Sequence, residues 1–400
     1  MFANLAFFVS SLCGAVQPSD FILKVINTIK DEYLISFLSK QNVIPKYGFP
    51  VDVVDLQILH HADEAKALEL NRDLRIALSE YAPSSQVVAG GKLWTSRYIK
   101  RLPDRHWRQY RYAVCEHCHC YQRVPAETNE KLENCIACGW PLGGHNRGDF
   151  IVPQFGFITD SAPPGKPGEA RPDRTYTTRT YFRGVSKETE SLKITLRGVN
   201  VVVIPATDGE LAVINHAGYQ GFKVCYNCGY AMLGNEQVKS PHFTPLRTEC
   251  RGKFTRVYLG HEFKNDVLQI RFEGYANGDP GFWYSHLYAL LEGASKSLEI
   301  DRQDLDGVLY PYSGDLAGPA LILFDDVPGG AGHVRRIAEN QKRFIDVLKV
   351  SLEKLLLCNC GGVERNTSCY GCLRNYRNQF CHDQLKRGPI IDFISAILGS

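Results

Sequence analysis

Closely spaced cysteine thiols are the side chains of this sequence best suited to chemistry. Residues 358–382 read "CNCGGVERNTSCYGCLRNYRNQFCH" and hold five cysteines and a terminal histidine. Four of the thiols, those of Cys358, Cys360, Cys369 and Cys372, fall within fifteen residues. Four thiolates complete the tetrahedron that Zn²⁺ accepts, so this stretch predicts a closed structural metal site.

Two other uses of these thiols have to be weighed. A thioredoxin-type redox centre places its C-x-x-C at the start of a helix that follows a strand. Here the cysteines come after a predicted long helix, "KRFIDVLKVSLEKLLL", which favours a metal site. An iron–sulfur cluster stays open as the alternative, because the same thiolates bind both zinc and iron.

A second group of cysteines has the spacing of a zinc ribbon. Cys115 and Cys118 form one C-x-x-C pair, and sixteen residues separate it from the pair Cys135 and Cys138. Each pair makes a tight knuckle that directs two sulfurs at one ion. Four thiolates leave no coordination position for a catalytic water, so we expect a structural zinc ion. Further donors nearby, expected to be exposed loop residues, are His117, His119 and Cys120.

A third group supplies only three thiolates. Cys225 and Cys228 form a knuckle, and Cys250 follows after twenty-one intervening residues. His242 lies between the two halves and is the predicted fourth ligand, because a Cys3His set is an accepted structural zinc site. The alternative histidines are His216 and His261. The three groups together predict about three structural zinc ions.

Composition narrows the class of protein. The 400 residues are 44% apolar and 22% charged, as in ordinary globular proteins, and the net charge is only +3. Any argument for nucleic acid must therefore rest on local clusters of basic residues. Most of the fourteen cysteines fall in C-x-C or C-x-x-C pairs, which indicates a reduced, cytoplasmic protein. The apolar start lacks a basic n-region, and no later run suggests a membrane span.

The periodicity of apolar residues predicts an α+β fold: a β-rich part with two zinc sites, an α/β core and a small helical zinc module at the C-terminal end. Strand follows strand over residues 176–275, and a helical period begins at 283. A buried strand, "PALILFDD", precedes one long helix predicted over roughly 333–356. The expected regions are a helical lead-in (1–43), a β-rich region with the first zinc ribbon (44–160), a second β-rich region with the second zinc site (176–275), an α/β region (276–345) and the zinc module (346–400).

Four stretches carry a family resemblance: "KYGFPVDVVDL", "GHEFKNDVLQIRF", "FDDVPGGAGHVRRI" and "SCYGCLRNYRNQFCHDQL". Together they resemble the uncharacterised domain at the C-terminus of many superfamily-two DEAD/DEAH helicases, which ends in the four-cysteine zinc-binding module named after the MrfA helicase. A version of this region is similar to the helicase-partner protein of the DISARM anti-phage system. The resemblance covers roughly residues 40–390, and its last two motifs are the most specific.

The resemblance implies a helicase accessory region that acts on DNA, in anti-phage defence or repair. It supplies no catalytic residue. The sequence contains no G-x-x-x-x-G-K-[ST] phosphate loop, so we expect no ATPase activity from this chain. The motor is expected either on the same polypeptide or in a separate helicase subunit.

Two basic stretches interleaved with aromatic residues are candidates for DNA contact. Arginines attract phosphates, and aromatic rings stack on unpaired bases. We expect Arg105, Arg108 and Arg111 to contact phosphates, with Trp107 or Tyr110 stacking on a base. A solvated strand edge would suit the alternation equally well. The first stretch and the zinc module supply the candidates Arg97, Lys100, Arg101, Arg105, Trp107, Arg108, Tyr110, Arg111, Arg374 and Arg377, and the second stretch adds Arg171, Arg174, Arg179 and Arg183.

The stretch "LILFDDVPGGAGHVRRI" allows three interpretations. Asp325 and Asp326 can cap a helix at a tight glycine-rich turn, which is the commonest use of such a pattern. The helix amides could instead bind a phosphate. The two acids could also bind Mg²⁺ in a metal-dependent nuclease. The nuclease, and a protein–protein scaffold, are the alternatives to a DNA-engaging accessory region.

Overall fold

The computed structural model of this protein describes residues 52–59, 68–118, 120–143, 146–168, 178–185, 190–238, 240–310, 318–327 and 330–399. The predicted helical lead-in at 1–43 lies outside these residues. The predicted fold class is confirmed, since the described chain is strand-rich and mixed, with a helical C-terminal part. In the part of the chain that is described, no helix combines the length and the apolar character needed to cross a membrane.

A small five-stranded sheet stands at the N-terminal side of the described chain. Its strand order is β2-β1-β8-β4-β3, and β1 runs parallel to β8. Helix α1 (Leu74–Glu80) follows β2 directly, because the Asp73 carboxylate accepts from the backbone N–H of Arg75 and caps the helix. The strands are β1 (Val53–Gln57), β2 (Asn71–Asp73), β3 (Gln86–Ala89), β4 (Lys92–Ile99) and β8 (Phe157–Thr159).

A large eleven-stranded sheet carries the rest of the β structure. Its centre is the antiparallel pair of β11 (Val199–Asn215) and β16 (Phe254–Glu273), in register from Asn200 opposite Glu273 to Asn215 opposite Leu259. Strands β9 and β10 pair with β11, while β7, β12 and β18 pair with β16. The other strands are β5 (Arg108–Val114), β6 (Tyr121–Pro125), β7 (Arg147–Val152), β9 (Thr178–Val185), β10 (Leu192–Leu196), β12 (Phe222–Cys225), β13 (Ala231–Leu233), β17 (Leu305–Tyr310) and β18 (Ala320–Asp325).

Helices cover one part of this sheet. Helix α2 (Pro280–Leu298) packs against α4 (Gln341–Leu357), and both contribute to the largest apolar core. The two helices approach closely because α2 has a glycine at the crossing: a Cβ at Gly293 would lie 2.0 Å from Ser351 Oγ. Helix α5 (Gly388–Leu398) adds a row of buried isoleucines to the same core. The C-terminal zinc module is therefore part of this core.

The predicted single helix over 333–356 is corrected by the structure. The chain forms a short α3 (His333–Ile337) and then the longer α4. Between them Asn340 is extended, and its Oδ1 accepts from the backbone N–H of Arg343 at 2.9 Å. An asparagine side chain satisfies the free amides at a helix start better than it fits inside a helix, which accounts for the break.

The predicted region boundaries stay predictions. The large sheet takes strands from the regions predicted at 44–160, 176–275 and 276–345, so these regions share hydrogen bonds across their boundaries. A remaining two-stranded piece, β14 (His242–Phe243) with β15 (Glu249–Cys250), belongs to the second metal site described below.

Candidate metal centres and nucleic-acid surface

The first zinc ribbon projects from the β5–β6 end of the large sheet. The Sγ atoms of its four cysteines lie within 4.8 Å of one another. Cys115 Sγ is 3.6 Å from Cys138 Sγ, and Cys118 Sγ is 3.5 Å from Cys135 Sγ. The backbone N–H of Ala137 points at Cys135 Sγ at 3.4 Å, which stabilises a thiolate in the knuckle. The nearby Cys120 lies outside the ligand group, as expected, but it is buried rather than exposed, and its Sγ faces the Tyr121 carbonyl.

The second site joins the end of β12 to the small β14–β15 hairpin. His242 and Cys250 are cross-strand neighbours in that hairpin, which places both beside Cys225 and Cys228. His242 Nε2 lies 3.3 Å from Cys228 Sγ, and burial lowers the pKa of this histidine. A neutral imidazole is the form that binds a metal.

The other histidines considered for this site lie elsewhere. His216 Nε2 is 2.9 Å from the Tyr112 hydroxyl, and His261 Nε2 is 3.4 Å from an Asp52 oxygen. The structure therefore brings His242, rather than either of them, to the three thiolates.

The third site begins where α4 ends. Cys358 is the residue that terminates the helix. Among Cys358, Cys360, Cys369 and Cys372, four of the Sγ–Sγ distances run from 3.4 to 3.9 Å. Cys381 and His382, the last two donors of this stretch, stay outside the site. Cys381 Sγ contacts the Asn378 carbonyl, and His382 Nε2 contacts Asn378 Oδ1 at 2.8 Å.

The donor geometry fits zinc at all three sites. Sulfurs bound tetrahedrally to one Zn²⁺ at about 2.3 Å stand about 3.8 Å apart, and Sγ–Sγ separations of 3.4 to 3.9 Å lie close to that value. The distance from Cys228 Sγ to His242 Nε2 is 3.3 Å, as suits the shorter Zn–N bond. A multi-iron cluster distributes its thiolates over several irons and holds them farther apart. Three structural zinc ions are the cofactors of this chain, because protein side chains supply all four positions of each site.

The segment that ends in the third site has a known counterpart. Residues 287–373 match the family model of the MrfA Zn-binding domain. This match begins inside α2, includes all four ligands of the third site and ends one residue after Cys372. It confirms the resemblance of the C-terminal motifs to the MrfA-type module.

Comparison with whole proteins adds one relative and two solved structures. The chain is 24% identical over 406 residues to the Druantia protein DruE of Escherichia coli (strain UMEA 4076-1), a match that covers 89% of this chain and 21% of the relative. This chain thus spans about a fifth of that relative's length. A crystal structure of the DUF1998 helicase MrfA bound to DNA matches at a TM-score of 0.40, with 12% identity, over 86% of this chain and 34% of that one. A second, bound to DNA and AMPPNP, matches at 0.29, with 10% identity, over 85% and 31%.

A buried arginine outside the matched segment holds the third zinc site. Arg387 is 3% exposed, and its Nε donates to the Cys360 carbonyl at 2.8 Å. The same guanidinium donates to the carbonyls of Leu355 and Gly362 at 3.3 and 3.4 Å. Among the described residues, no carboxylate forms an ion pair with it. Four thiolates around one Zn²⁺ carry about two negative charges, so the site itself offers the compensating charge for this guanidinium.

The backbone around Arg387 completes the same arrangement. Its N–H donates to the Thr367 carbonyl at 3.0 Å, and the N–H of Gly388 donates to the Arg365 carbonyl at 2.9 Å. These bonds tie the start of α5 to the loop between the two halves of the zinc site. Sequence reasoning missed Arg387, because no local pattern links it to cysteines that precede it by fifteen residues or more.

Most of the basic residues predicted for DNA contact are engaged within the protein. Arg97 lies near Asp160 and Glu236, and the Lys100 ammonium pairs with Asp55 at 3.0 Å. Arg101 donates to the carbonyls of Tyr226 and Asn227, and Arg111 donates to those of Ala126 and Thr128. Arg105 and Arg108 differ from these four, since both are exposed and neither side chain is bonded to another described residue.

The two rings predicted to stack on bases face the interior of the protein. Trp107 is 5% exposed, and its indole N–H donates to the Lys100 carbonyl at 3.0 Å. Tyr110 is half-buried, with Phe150 at a centroid distance of 5.2 Å and the Arg123 guanidinium 4.3 Å from its ring. Trp107 is therefore too buried to stack on a base, and the contacts of Tyr110 occupy part of its ring surface. The sequence could not predict the burial of these rings, because the alternation of residues along a strand does not show which side chains a neighbouring strand covers.

The zinc module presents the last two candidates differently. Arg374 is half-buried, and its Nε donates to Ser368 Oγ at 3.0 Å. Arg377 is 53% exposed, yet it pairs with Asp326 and lies 3.7 Å from Asp306. Asp326 also accepts from Arg75 at 3.2 Å, so it bridges α1 and the zinc module.

The glycine-rich turn after β18 is built around the Asp325 carboxylate. Asp325 is fully buried; its Oδ2 accepts from the backbone N–H groups of Ala331 and His333, and its Oδ1 accepts from that of Val334 at 2.9 Å. The N–H of Gly332 goes to Asp266 Oδ2 at 3.0 Å. The turn passes so close that a Cβ at Gly330 would lie 2.5 Å from that oxygen. The capping interpretation fits this geometry, because the amides that would bind a phosphate and the oxygens that would bind Mg²⁺ are already paired.

We expect about three zinc ions per chain in elemental analysis of purified protein. Replacing the exposed ligand Cys138→Ser should remove one of them and loosen the ribbon, since bound structural zinc contributes roughly 10 kcal/mol or more to folding. Cys120→Ser, a neighbouring cysteine outside the ligand group, is the matched control and should keep all three. Iron with visible absorbance, or an unchanged zinc content in Cys138→Ser, would contradict the assignment.

The Arg387→Gln variant should lose zinc from the third site faster than the parent under a chelator challenge. Removing the guanidinium leaves the charge of the tetrathiolate site uncompensated and three carbonyls unpaired. Arg387→Lys, which keeps the charge but not the fork of donors, should be intermediate. Lys386→Gln removes a neighbouring charge and serves as the control. Equal zinc release from Arg387→Gln and Lys386→Gln would show that Arg387 does not hold the site.

The Asp325→Asn variant should lower the urea midpoint of unfolding, because an amide group then faces backbone donors. The expected cost is about 1–3 kcal/mol for the unsatisfied groups. Asp301→Asn, at an exposed helix start where no side-chain cap bond forms, is the control and should be neutral. The nuclease interpretation would instead be favoured if the parent cleaves DNA in the presence of Mg²⁺ and Asp325→Asn loses this activity without a change in stability.

Proposed function

We propose that this chain is a zinc-stabilised, DNA-engaging accessory region of a superfamily-two helicase, in anti-phage defence or DNA repair. The chain carries an MrfA-type zinc-binding domain and is related to the Druantia defence protein DruE. The MrfA-type module and the resemblance of the sequence motifs to helicase-associated regions support a place beside a helicase motor, either fused to this chain or in a separate subunit. We place the region in the cytoplasm, where its thiolates stay reduced.

The observation that carries the DNA-engaging role is the position of Arg105 and Arg108. Both guanidinium groups are exposed, beside the start of β5, and β5 runs directly into the first zinc ligand at Cys115. The ribbon and the neighbouring strands β6 and β7 hold this strand in place. Unpaired guanidinium groups beside a strand held on both sides suit the phosphates of a nucleic acid backbone, which attract charge without regard to sequence.

The neighbouring basic residues have a different role under this proposal. Arg97, Lys100, Arg101 and Arg111 hold the protein surface together through the contacts described above. Only Arg105 and Arg108 of this stretch then contribute to phosphate binding. Arg374 and Arg377 of the zinc module remain proposed contacts, and for Arg377 a phosphate would have to compete with Asp326 and Asp306.

Salt dependence of DNA binding tests the role of the two exposed arginines. Each phosphate contact that is lost reduces the slope of log affinity against log salt by about 0.7 to 0.9, so Arg105→Ala with Arg108→Ala should flatten it by about 1.5 to 2 units. The weakening should be similar for every DNA sequence.

A control variant removes the same charge elsewhere on the surface. Arg251 and Lys264 are 79% and 57% exposed, and Arg251→Ala with Lys264→Ala should leave the slope as in the parent. Equal slopes for both double variants would place the DNA path away from β5. If the parent protein fails to bind DNA at every salt concentration tested, the DNA-engaging role is refuted and a protein–protein scaffold is favoured.

A further inference from the structure

A cation between two exposed aromatic rings joins three distant parts of the chain. The Arg179 guanidinium, on β9, lies 5.3 Å from the ring centroid of Tyr219 and 4.9 Å from that of Phe380. Tyr219 belongs to the turn after β11, and Phe380 to the 3-10 helix Gln379–Gln384 of the zinc module. The rings are 45% and 41% exposed. We refer to Arg179, Tyr219 and Phe380 as the Arg179 stack.

Both rings are held in place from behind. His216 stacks on Tyr219 with centroids 5.4 Å apart and an interplanar angle of 28°, and Tyr112 fixes His216 by the hydrogen bond described above. Burial and the charge of Arg179 lower the pKa of His216 to about 3, so this support is neutral. Tyr284 of α2 meets Phe380 edge-on, with centroids 5.6 Å apart. The exposed rings are thus preorganised.

A structural role alone would be to dock the zinc module on the sheet. Such a contact is more stable when its aromatic surface is buried, yet here each ring leaves over two-fifths of its surface in water. Among the described residues, no carboxylate pairs with Arg179. The stack therefore offers to a ligand the exposed parts of two aromatic rings and a positive charge, which is the combination that binds unpaired bases and their phosphates.

The zinc module repeats this chemistry next to Phe380. Tyr370 and Tyr376 are 59% and 65% exposed, and their ring centroids are 5.7 Å apart. Arg374 lies between them in sequence. Exposed rings with neighbouring cations thus occur on both the zinc module and the sheet that it contacts.

We infer that the Arg179 stack is a binding site for single-stranded DNA, with bases on Tyr219 and Phe380 and phosphate at Arg179. The inference rests on the proposed function and specifies the form of DNA. The bases of a duplex are stacked inside it and cannot reach these rings, so duplex binding depends only on phosphates. Single strands expose their bases and gain the stacking energy.

The test is binding of a fluorescent oligothymidylate and of a blunt-ended duplex of equal length. Tyr219→Ala and Phe380→Ala should each weaken single-strand binding roughly five- to a hundredfold, as expected for the loss of one stacked base. Duplex binding should change less than twofold. Tyr219→Phe keeps the ring and should bind as the parent does.

Controls separate stacking from folding. Tyr219→Leu and Phe380→Leu keep apolar packing but lose the ring, so they should show the same single-strand defect with full zinc content. Phe243→Ala removes a ring that is 54% exposed in the loop of the second zinc site, and it should have no effect. If the alanine and leucine variants bind single strands like the parent, the stack only docks the zinc module, while the proposed function stands. If the parent binds neither DNA, both fail.

Discussion

The pairing of β11 with β16 is the interaction on which the rest of the structure depends. Seventeen and twenty residues long, these strands stay in register along nearly their whole length, with one irregularity between Ala206 and Gly209. A Cβ at Gly209 would lie 2.2 Å from a Val267 methyl group, so the strand crosses its partner here at a distance that only glycine permits. Each of the two strands is hydrogen-bonded on both edges, so the elements that carry the metal sites are built outward from this pair.

The three zinc sites are attached to that pair in different ways. The second is the most direct, since β12 pairs with the start of β16 and ends in the ligand Cys225. The first is reached through β7 and β5, which extend the sheet beyond β16. The third is attached through helices: Cys372 and the neighbouring Leu373 are buried in the core shared by α2, α4 and α5. Zinc at each site therefore stabilises structure that is already held by the sheet or its core.

The basic surface beside the first ribbon is smaller than the cluster of basic residues in the sequence suggests. Several arginines act as fixed donors to backbone carbonyls, as Arg101 and Arg111 do, and Arg387 does so while fully enclosed. Arginine suits this use because its planar fork of donors reaches several acceptors at once. Of the basic candidates beside the first ribbon, Arg105 and Arg108 remain for an external anion.

The local sequence determined the elements whose cause is local. Cysteine pairs of the C-x-C and C-x-x-C types predict a knuckle wherever they lie, so ten of the eleven thiolate ligands could be read from spacing, and alternation predicted the mixed, strand-rich fold class. Cys250 and His242 could be proposed to complete the second site, but the sequence left His216 and His261 as alternatives to His242. The alternation along β5 likewise placed that strand, and the resemblance of the C-terminal motifs located the zinc module.

Only the tertiary structure decided which side chains are free. It covered Trp107 with Tyr226, at a centroid distance of 5.4 Å, and it divided the predicted helix at Asn340. It also brought Arg387 to the third zinc site and set Arg179 between Tyr219 and Phe380. The physical reason is common to all but the helix break: such contacts join residues tens to hundreds of positions apart. Their energies depend on the register of strands and the packing of helices, which no short window of sequence contains.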